Sequence, residues 1–345
     1  MIRSLTRAAV VCLIWQGSLF SAGAADRAPS GDPQILPAGA RLERLWDEGA
    51  FTEGVAVAPD GTICFSDIPG EEAPGKIFRF DPATGKTTVL CADSGKSNGL
   101  MFDRSGRLIA ACGANIGKQA LCEITPDGKV RVLVDLYRRK RINSPNDLVS
   151  HPDGSVYFSD PRYVGPEPVE LDEMSVYRYV PATGKVTRMK TGVTKPNGLV
   201  LSPNGRVLYV AETDNRSLGA ADPAPADAQK RMTLNAIPIR PNGTLGPKRV
   251  LVDFGQENGI DGMTVDVKGN IYAAVRSESR HGIAVYSPAG KERAFIPTEE
   301  LPTNCCFGIG DEATRLYVTV GTGLYRIRMN IPGFHPATAD VRGES

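Results

Sequence analysis

Short apolar runs, each closed by a polar turn, fill the chain from about residue 52 to residue 328. The segment Leu148-Val149-Ser150, the turn His151-Pro152-Asp153-Gly154, and Val156-Tyr157-Phe158-Ser159-Asp160 show the unit. Apolar runs on either side of an Asp-Gly pair predict a β-hairpin. The unit returns with a fixed spacing: Glu53, Asn98, Asn146, Asn197 and Asp261 each stand eight residues before a turn glycine, at Gly61, Gly106, Gly154, Gly205 and Gly269. A looser sixth copy starts near Thr303 and runs Asn304-Cys305-Cys306-Phe307-Gly308, with a longer turn before Leu316-Tyr317-Val318.

Each copy holds two further strand candidates. In the first, Lys76-Ile77-Phe78-Arg79-Phe80 leads through Asp81-Pro82-Ala83-Thr84-Gly85 to Lys86-Thr87-Thr88-Val89-Leu90; the turn Val180-Pro181-Ala182-Thr183-Gly184 of the third copy nearly repeats the first. The openers at 53, 98, 146, 197 and 261 lie 45, 48, 51 and 64 residues apart. Four strands at such a period predict an all-β fold, a six-bladed β-propeller. The sixth copy lacks an outer strand, whereas Arg41-Leu42-Glu43-Arg44-Leu45-Trp46 has no blade of its own. Unpaired edges template aggregation, so the N-terminal strand is expected to complete the last blade. The expected boundaries are a signal peptide at 1–24, a linker at 25–40, the propeller at 41–330 and a tail at 331–345. Two β-sandwiches would leave the register of the polar openers unexplained.

Arg3 and Arg7, the apolar stretch Ala8 to Phe20 and Ala22-Gly23-Ala24 have the layout of a cleaved signal peptide. The apolar stretch is too short to span a bilayer, and a periplasmic or secreted protein without a membrane span is expected. Lys+Arg 40 against Asp+Glu 39 gives no basic stripe, so nucleic acid is not an expected partner. The densest basic run, Arg138-Arg139-Lys140-Arg141, reads as a solvated loop. Six cysteines remain after Cys12 is removed; Cys112 and Cys122 lie on two arms of one hairpin, where a disulfide and buried free thiols are both open readings. Three histidines and no Cys-x-x-Cys argue against a thiolate or imidazole zinc site.

First strands of a propeller line its channel, so the five openers are expected to meet at one mouth. Two carboxylates and three amides make a cage of hard oxygen donors, suited to Ca2+ and less strictly to Mg2+ or Mn2+. Two longer connections, between Asp160 and Ser175 and between Glu212 and Thr233, follow second strands and return to that face, where they are expected to cover it. Asn98 and Tyr163 are candidate pocket contacts, and Asp147 a candidate to orient a neighbouring amide. Cys305, Cys306 and Phe307 are expected in the sixth opener's place as an apolar wall, and His281 in a loop. Gly-x-Ser-x-Gly is absent, which argues against a serine triad.

Glu53-Gly54-Val55, Asn143-Ser144-Pro145-Asn146-Asp147, Tyr157-Phe158-Ser159-Asp160-Pro161, Pro196-Asn197-Gly198-Leu199 and Asp261-Gly262-Met263 together resemble the gluconolactonase/regucalcin family, which includes luciferin-regenerating-enzyme-like propellers. The resemblance spans essentially the whole mature chain. It implies one divalent cation in the channel and hydrolysis of lactones or related esters. By motif, Glu53, Asn197 and Asp261 match the metal ligands, and Asn146 the asparagine that binds metal or substrate. Ca2+ is the expected ion, with Mg2+, Mn2+ or Zn2+ as alternatives. The regucalcin branch carries an Arg-x-Asn-Asp substrate motif; Ser144 stands in place of that Arg, leaving Arg141 or Arg162 to supply its contact. Asp261, or else Glu53, is the expected general base. The alternatives are an aryl esterase or phosphotriesterase on the same metal site, or a non-catalytic propeller stabilised by metal. Leu208-Tyr209-Val210-Ala211-Glu212-Thr213 also resembles strictosidine-synthase-like propellers.

Overall fold

The computed structural model describes residues 28–70, 73–218, 225 and 228–336. Six antiparallel sheets succeed one another along the chain, and one short hairpin (Leu136–Tyr137 with Lys140–Arg141) lies outside them. The innermost strands are Thr52–Val57, Ser97–Phe102, Leu148–Ser150, Pro196–Leu201, Ile260–Val265 and Pro302–Phe307. Each blade then winds outward, as in blade one through Ile63–Asp67, Lys76–Asp81 and Lys86–Cys91.

Alternation along the strands decides how the blades stack. In Ile63–Asp67, Cys64 joins an apolar cluster with blade two, whereas Ile63 and Phe65 join one with blade six. Six such clusters lie between neighbouring sheets, one per interface, so both faces of every blade are buried. That is why second strands such as Ile63–Asp67 and Leu108–Cys112 are buried at every position. A propeller has no single core. Closure of the ring is what removes its two end faces from water.

Closure follows the expected route. Glu43–Trp46 pairs antiparallel with Gly323–Arg328, Glu43 opposite Arg326, and becomes the outer strand of blade six. Two boundaries differ from expectation. Ser30–Gly31, within the expected linker, pairs with Glu292–Pro297 as a fifth strand of blade five, and Ile35 and Leu36 are buried between blades five and six. Within the expected tail, Ile331 joins that same cluster, and Phe334 donates its backbone N–H to the Val265 carbonyl at 3.0 Å. Both segments are rich in Pro, Gly and Ala, and their few apolar residues cover blade faces that the ring leaves open. The expected signal peptide lies outside the described residues. Cys64, Cys91, Cys112, Cys122, Cys305 and Cys306 are all free and buried, so Cys112 and Cys122 form no disulfide. Among the described residues no helix is long and apolar enough to cross a membrane.

The residue after each opener sits where inner strands converge. A Cβ at Gly54 would stand 2.1 Å from the Asn98 carbonyl oxygen, and one at Gly198 would stand 2.1 Å from that of Asp261. Neither oxygen can retreat, because each belongs to a neighbouring blade. Gly198→Ala is therefore expected to cost about 1–3 kcal/mol by overpacking and to weaken cation binding, since it pushes Asp261 away from Asn197. Thermal melts with and without calcium check both effects.

Candidate metal centre

A register shift interrupts the inner hairpin of five blades at the opener: between Glu53 and Val55, Ser97 and Leu100, Pro196 and Leu199, Ile260 and Met263, and Pro302 and Asn304. A β-bulge frees one residue from the ladder and re-aims its side chain. In blade three the regular strand begins only at Leu148, after Asn146 and Asp147. As a result Glu53, Asn98, Asn146, Asn197 and Asp261 line one cavity of about 520 Å³ at a single end of the channel.

Glu53 and Asp261 are both buried. Asn98 donates to Glu53 Oε1 at 3.4 Å, and the Gly54 N–H to Oε2 at 3.2 Å. Arg276 Nη1 donates to Asp261 Oδ2 at 2.9 Å, and the Asn197 amide also bonds that carboxylate. Burial, then the field of Asp261, pushes the Glu53 carboxyl well above the usual carboxylate range. Burial also raises Asp261, against the pull of Arg276. One guanidinium thus faces two desolvated acids, which leaves one negative charge uncompensated.

The donor set fits a divalent cation. Asn197 Oδ1 is buried and has no hydrogen-bond partner, a state that normally costs about 1–3 kcal/mol and that a cation relieves. Among the described residues no three His, Cys, Asp or Glu side chains gather; two acids and the amides of Asn146 and Asn197 are what gather instead. Glu53, Asn146, Asn197 and Asp261 would hold the ion, all through oxygen, as Ca2+ prefers.

Tyr163 lies in the wall of this cavity, its hydroxyl donating to the Thr213 carbonyl at 3.2 Å and bonding the Asn197 amide. Both long connections contribute to this end, the first through Tyr163 and Val164 and the second through Asn215; residues 219–224 and 226–227 of the second lie outside the described residues. Lys96 and Lys195, each two residues before an opener, fasten the rim. Lys96 Nζ donates to the carbonyls of Pro69, Gly70 and Ala73, and Lys195 Nζ to Asn215 Oδ1 and the Ser217 carbonyl.

Neither expected arginine reaches the cavity. The Arg162 side chain is 1% exposed and donates to the carbonyls of Asn143, Gly165 and Glu167, shaping the loop that carries Tyr163. Arg141 lies in the short hairpin outside the blades, half-exposed beside Asp135. Ser144 Oγ instead accepts the Ala114 N–H at 2.9 Å and holds the Gly113–Gln119 loop. His281 begins a strand, His281–Tyr286, and does not line the cavity.

Arg276 is the functional candidate that the sequence reading missed. It stands fifteen residues after its opener, where the first three blades have Ile68, Gly113 and Pro161. A charge at a position that is uncharged in those copies was the available signal. The signal was incomplete, because the fourth blade also has a charge there, Glu212, which bonds Thr194 and Lys248 and stays out of the cavity.

Two further expectations change. The N–H five residues after each opener closes the turn, at Ala58, Asp103, His151, Ser202, Asp266 and Gly308. The sixth opener is therefore Thr303, not Cys305 to Phe307. Its hydroxyl donates to the Thr52 carbonyl at 2.8 Å, and it stays out of the cavity. Asp147 and Asn304 hold the position that is Gly54, Gly99, Gly198 and Gly262 elsewhere, in blades three and six. They hydrogen-bond to one another, and Asp147 Oδ2 accepts the Leu199 N–H at 2.8 Å. Asp147 thus orients Asn304 and the blade-four strand, and both line a second cavity of about 390 Å³ lower in the channel. Burial pushes the Asp147 carboxyl up to about 7.

A six-bladed propeller whose channel mouth carries two acids and several amides defines the class. Residues 51–322 match the SMP-30/Gluconolactonase/LRE-like region, and the chain belongs to that family. It is 31% identical over 317 residues to the gluconolactonase of Zymomonas mobilis, covering 85% of this chain and 83% of that one. A gluconolactonase structure from Xanthomonas campestris superimposes with a TM-score of 0.74 at 27% identity, covering 89% of this chain and 96% of that one. The diisopropyl-fluorophosphatase of Loligo vulgaris is 26% identical over 292 residues, 73% of this chain and 86% of that one.

Proposed function

We propose that the protein is a divalent-metal-dependent lactone hydrolase, with Ca2+ as the preferred ion. The observation that carries the reading is the meeting of Glu53, Asp261 and the partnerless Asn197 Oδ1 in one cavity, in a chain of the gluconolactonase family. A bound dication supplies Lewis-acid polarisation of the lactone carbonyl. Asp261 is the group we assign to take a proton from the attacking water, because its raised pKa strengthens it as a base. Arg276 on Oδ2 and the Asn197 amide hold that carboxylate in place. Glu53 helps to hold the ion, and Asn98 and Tyr163 supply polar contacts to substrate. Water's oxygen bonds to the carbonyl carbon, the ring C–O bond breaks, the ring oxygen leaves as a hydroxyl, and the remaining acid proton passes to solvent.

Proton release by the calcium-loaded protein, measured over lactones, aryl esters and organophosphates, tests this. Turnover of lactones well above the other classes is expected; turnover of none would remove the enzymatic reading. A phosphotriesterase is the second reading, favoured by the similarity to the fluorophosphatase, and preference for organophosphates would select it. We also propose export to the periplasm or exterior through the segment 1–24, checked by N-terminal sequencing of the exported chain.

A further inference from the structure

We propose that Arg276 is a carboxylate-binding site, which receives the carboxylate created when the lactone ring opens. This rests on the function proposed above and adds where the product is held. Arg276 lines the cavity, and among the described residues its side chain has one hydrogen-bond acceptor, Asp261 Oδ2, reached through Nη1. A guanidinium carries five N–H donors in a fork that matches carboxylate geometry. Nη2 and Nε therefore keep donors for an anion. The guanidinium carbon lies 5.8 Å from the centre of the Phe51 ring, which limits its range of positions.

Charge points the same way. Glu53 and Asp261 against Arg276, Lys96 and a dication leave the loaded cavity with two net positive charges. A lactone is neutral, whereas its ring-opened product is an anion, so the loaded cavity favours the product. Lys96, the other cation in the wall, directs its Nζ at the carbonyls of Pro69, Gly70 and Ala73. Arg276 also neighbours Asp261, the proposed base, and so stands close to where the new carboxylate forms.

The test is calorimetric binding of two unreactive pairs to the calcium-loaded protein: gluconate against glucitol, and 4-hydroxybutyrate against 1,4-butanediol. Wild type is expected to prefer at least one carboxylate over its uncharged partner by about tenfold or more. Arg276→Met is expected to abolish that preference, and Arg276→Lys, which keeps the charge but not the fork, to retain part of it. Calcium is titrated into the same variants. Because Arg276→Met removes a competitor from Asp261, its calcium affinity is expected to equal or exceed that of wild type. Unchanged carboxylate preference in Arg276→Met, no preference in wild type, or weaker calcium binding in Arg276→Met would each overturn the assignment. Carboxylate binding that depends on Arg276 in a protein that turns over no lactone would uphold this site and remove the proposed reaction. Lactone turnover without such binding would do the reverse.

Discussion

Glu53→Gln is expected to abolish lactone turnover while raising the thermal stability of the metal-free protein. Glu53 is buried, lies in the field of Asp261 more than in that of Arg276, and among the described residues makes no ion pair. An ionised carboxylate there is disfavoured by desolvation and by its like-charged neighbour, whereas an amide of the same shape accepts the Gly54 N–H through its oxygen and donates its NH2 to Asn98 once the Asn98 amide turns to present Oδ1. Replacement removes the repulsion together with an anionic ligand, so stability and activity move in opposite directions. Glu53 acts through the ion it helps to hold, and loss of the electrostatic stabilisation that the ion gives the oxyanion is expected to lower kcat on the order of 10²–10³. Asp261→Asn is expected to lose activity at least as fully. It should gain less stability, because Arg276 then loses its carboxylate. Steady-state proton release and melting of the metal-free variants separate the two. A Glu53→Gln protein with full turnover would remove the metal centre from the mechanism.

Chelation is expected to stop turnover, and calcium is expected to stabilise the protein more at pH 8 than at pH 5. The carboxyls of Glu53 and Asp261 are raised above their ordinary values, and those of Asp147 and Asp160 are pushed up to about 7 by burial. A raised folded-state pKa means that the folded chain holds protons the unfolded chain has released. For such groups stability is fully present below the unfolded value near 4 and is lost as pH rises toward 7. The metal-free protein should thus weaken across that window. Calcium binds the ionised carboxylates and displaces their protons, so its affinity rises over the same window. Melting curves at pH 5, 6, 7 and 8, with calcium and with chelator, measure the difference. A calcium-dependent shift equal at every pH would contradict the assignment of Glu53 and Asp261 as ligands.

The reach of the sequence can be judged from particular residues. The eight-residue offset from opener to turn glycine is local chemistry, because a hairpin of given length needs its glycine at a fixed place. Repeated five times, it determined the propeller, the inner strands, the closing strand at Glu43–Trp46 and the convergence of the five openers. Other features are long-range. Arg162 and Arg276 are the same residue type in polar surroundings, and nothing within a few positions of either says which is locked to carbonyls and which lines the cavity. That is decided by which blade ends abut, across a hundred residues of chain. The burial of Ile35, Leu36 and Ile331 likewise depends on faces that exist only once the ring has closed. Periodicity reports how a segment is built, and tertiary structure decides which segments share one desolvated space. The raised carboxyls of Glu53 and Asp261 come from that shared space.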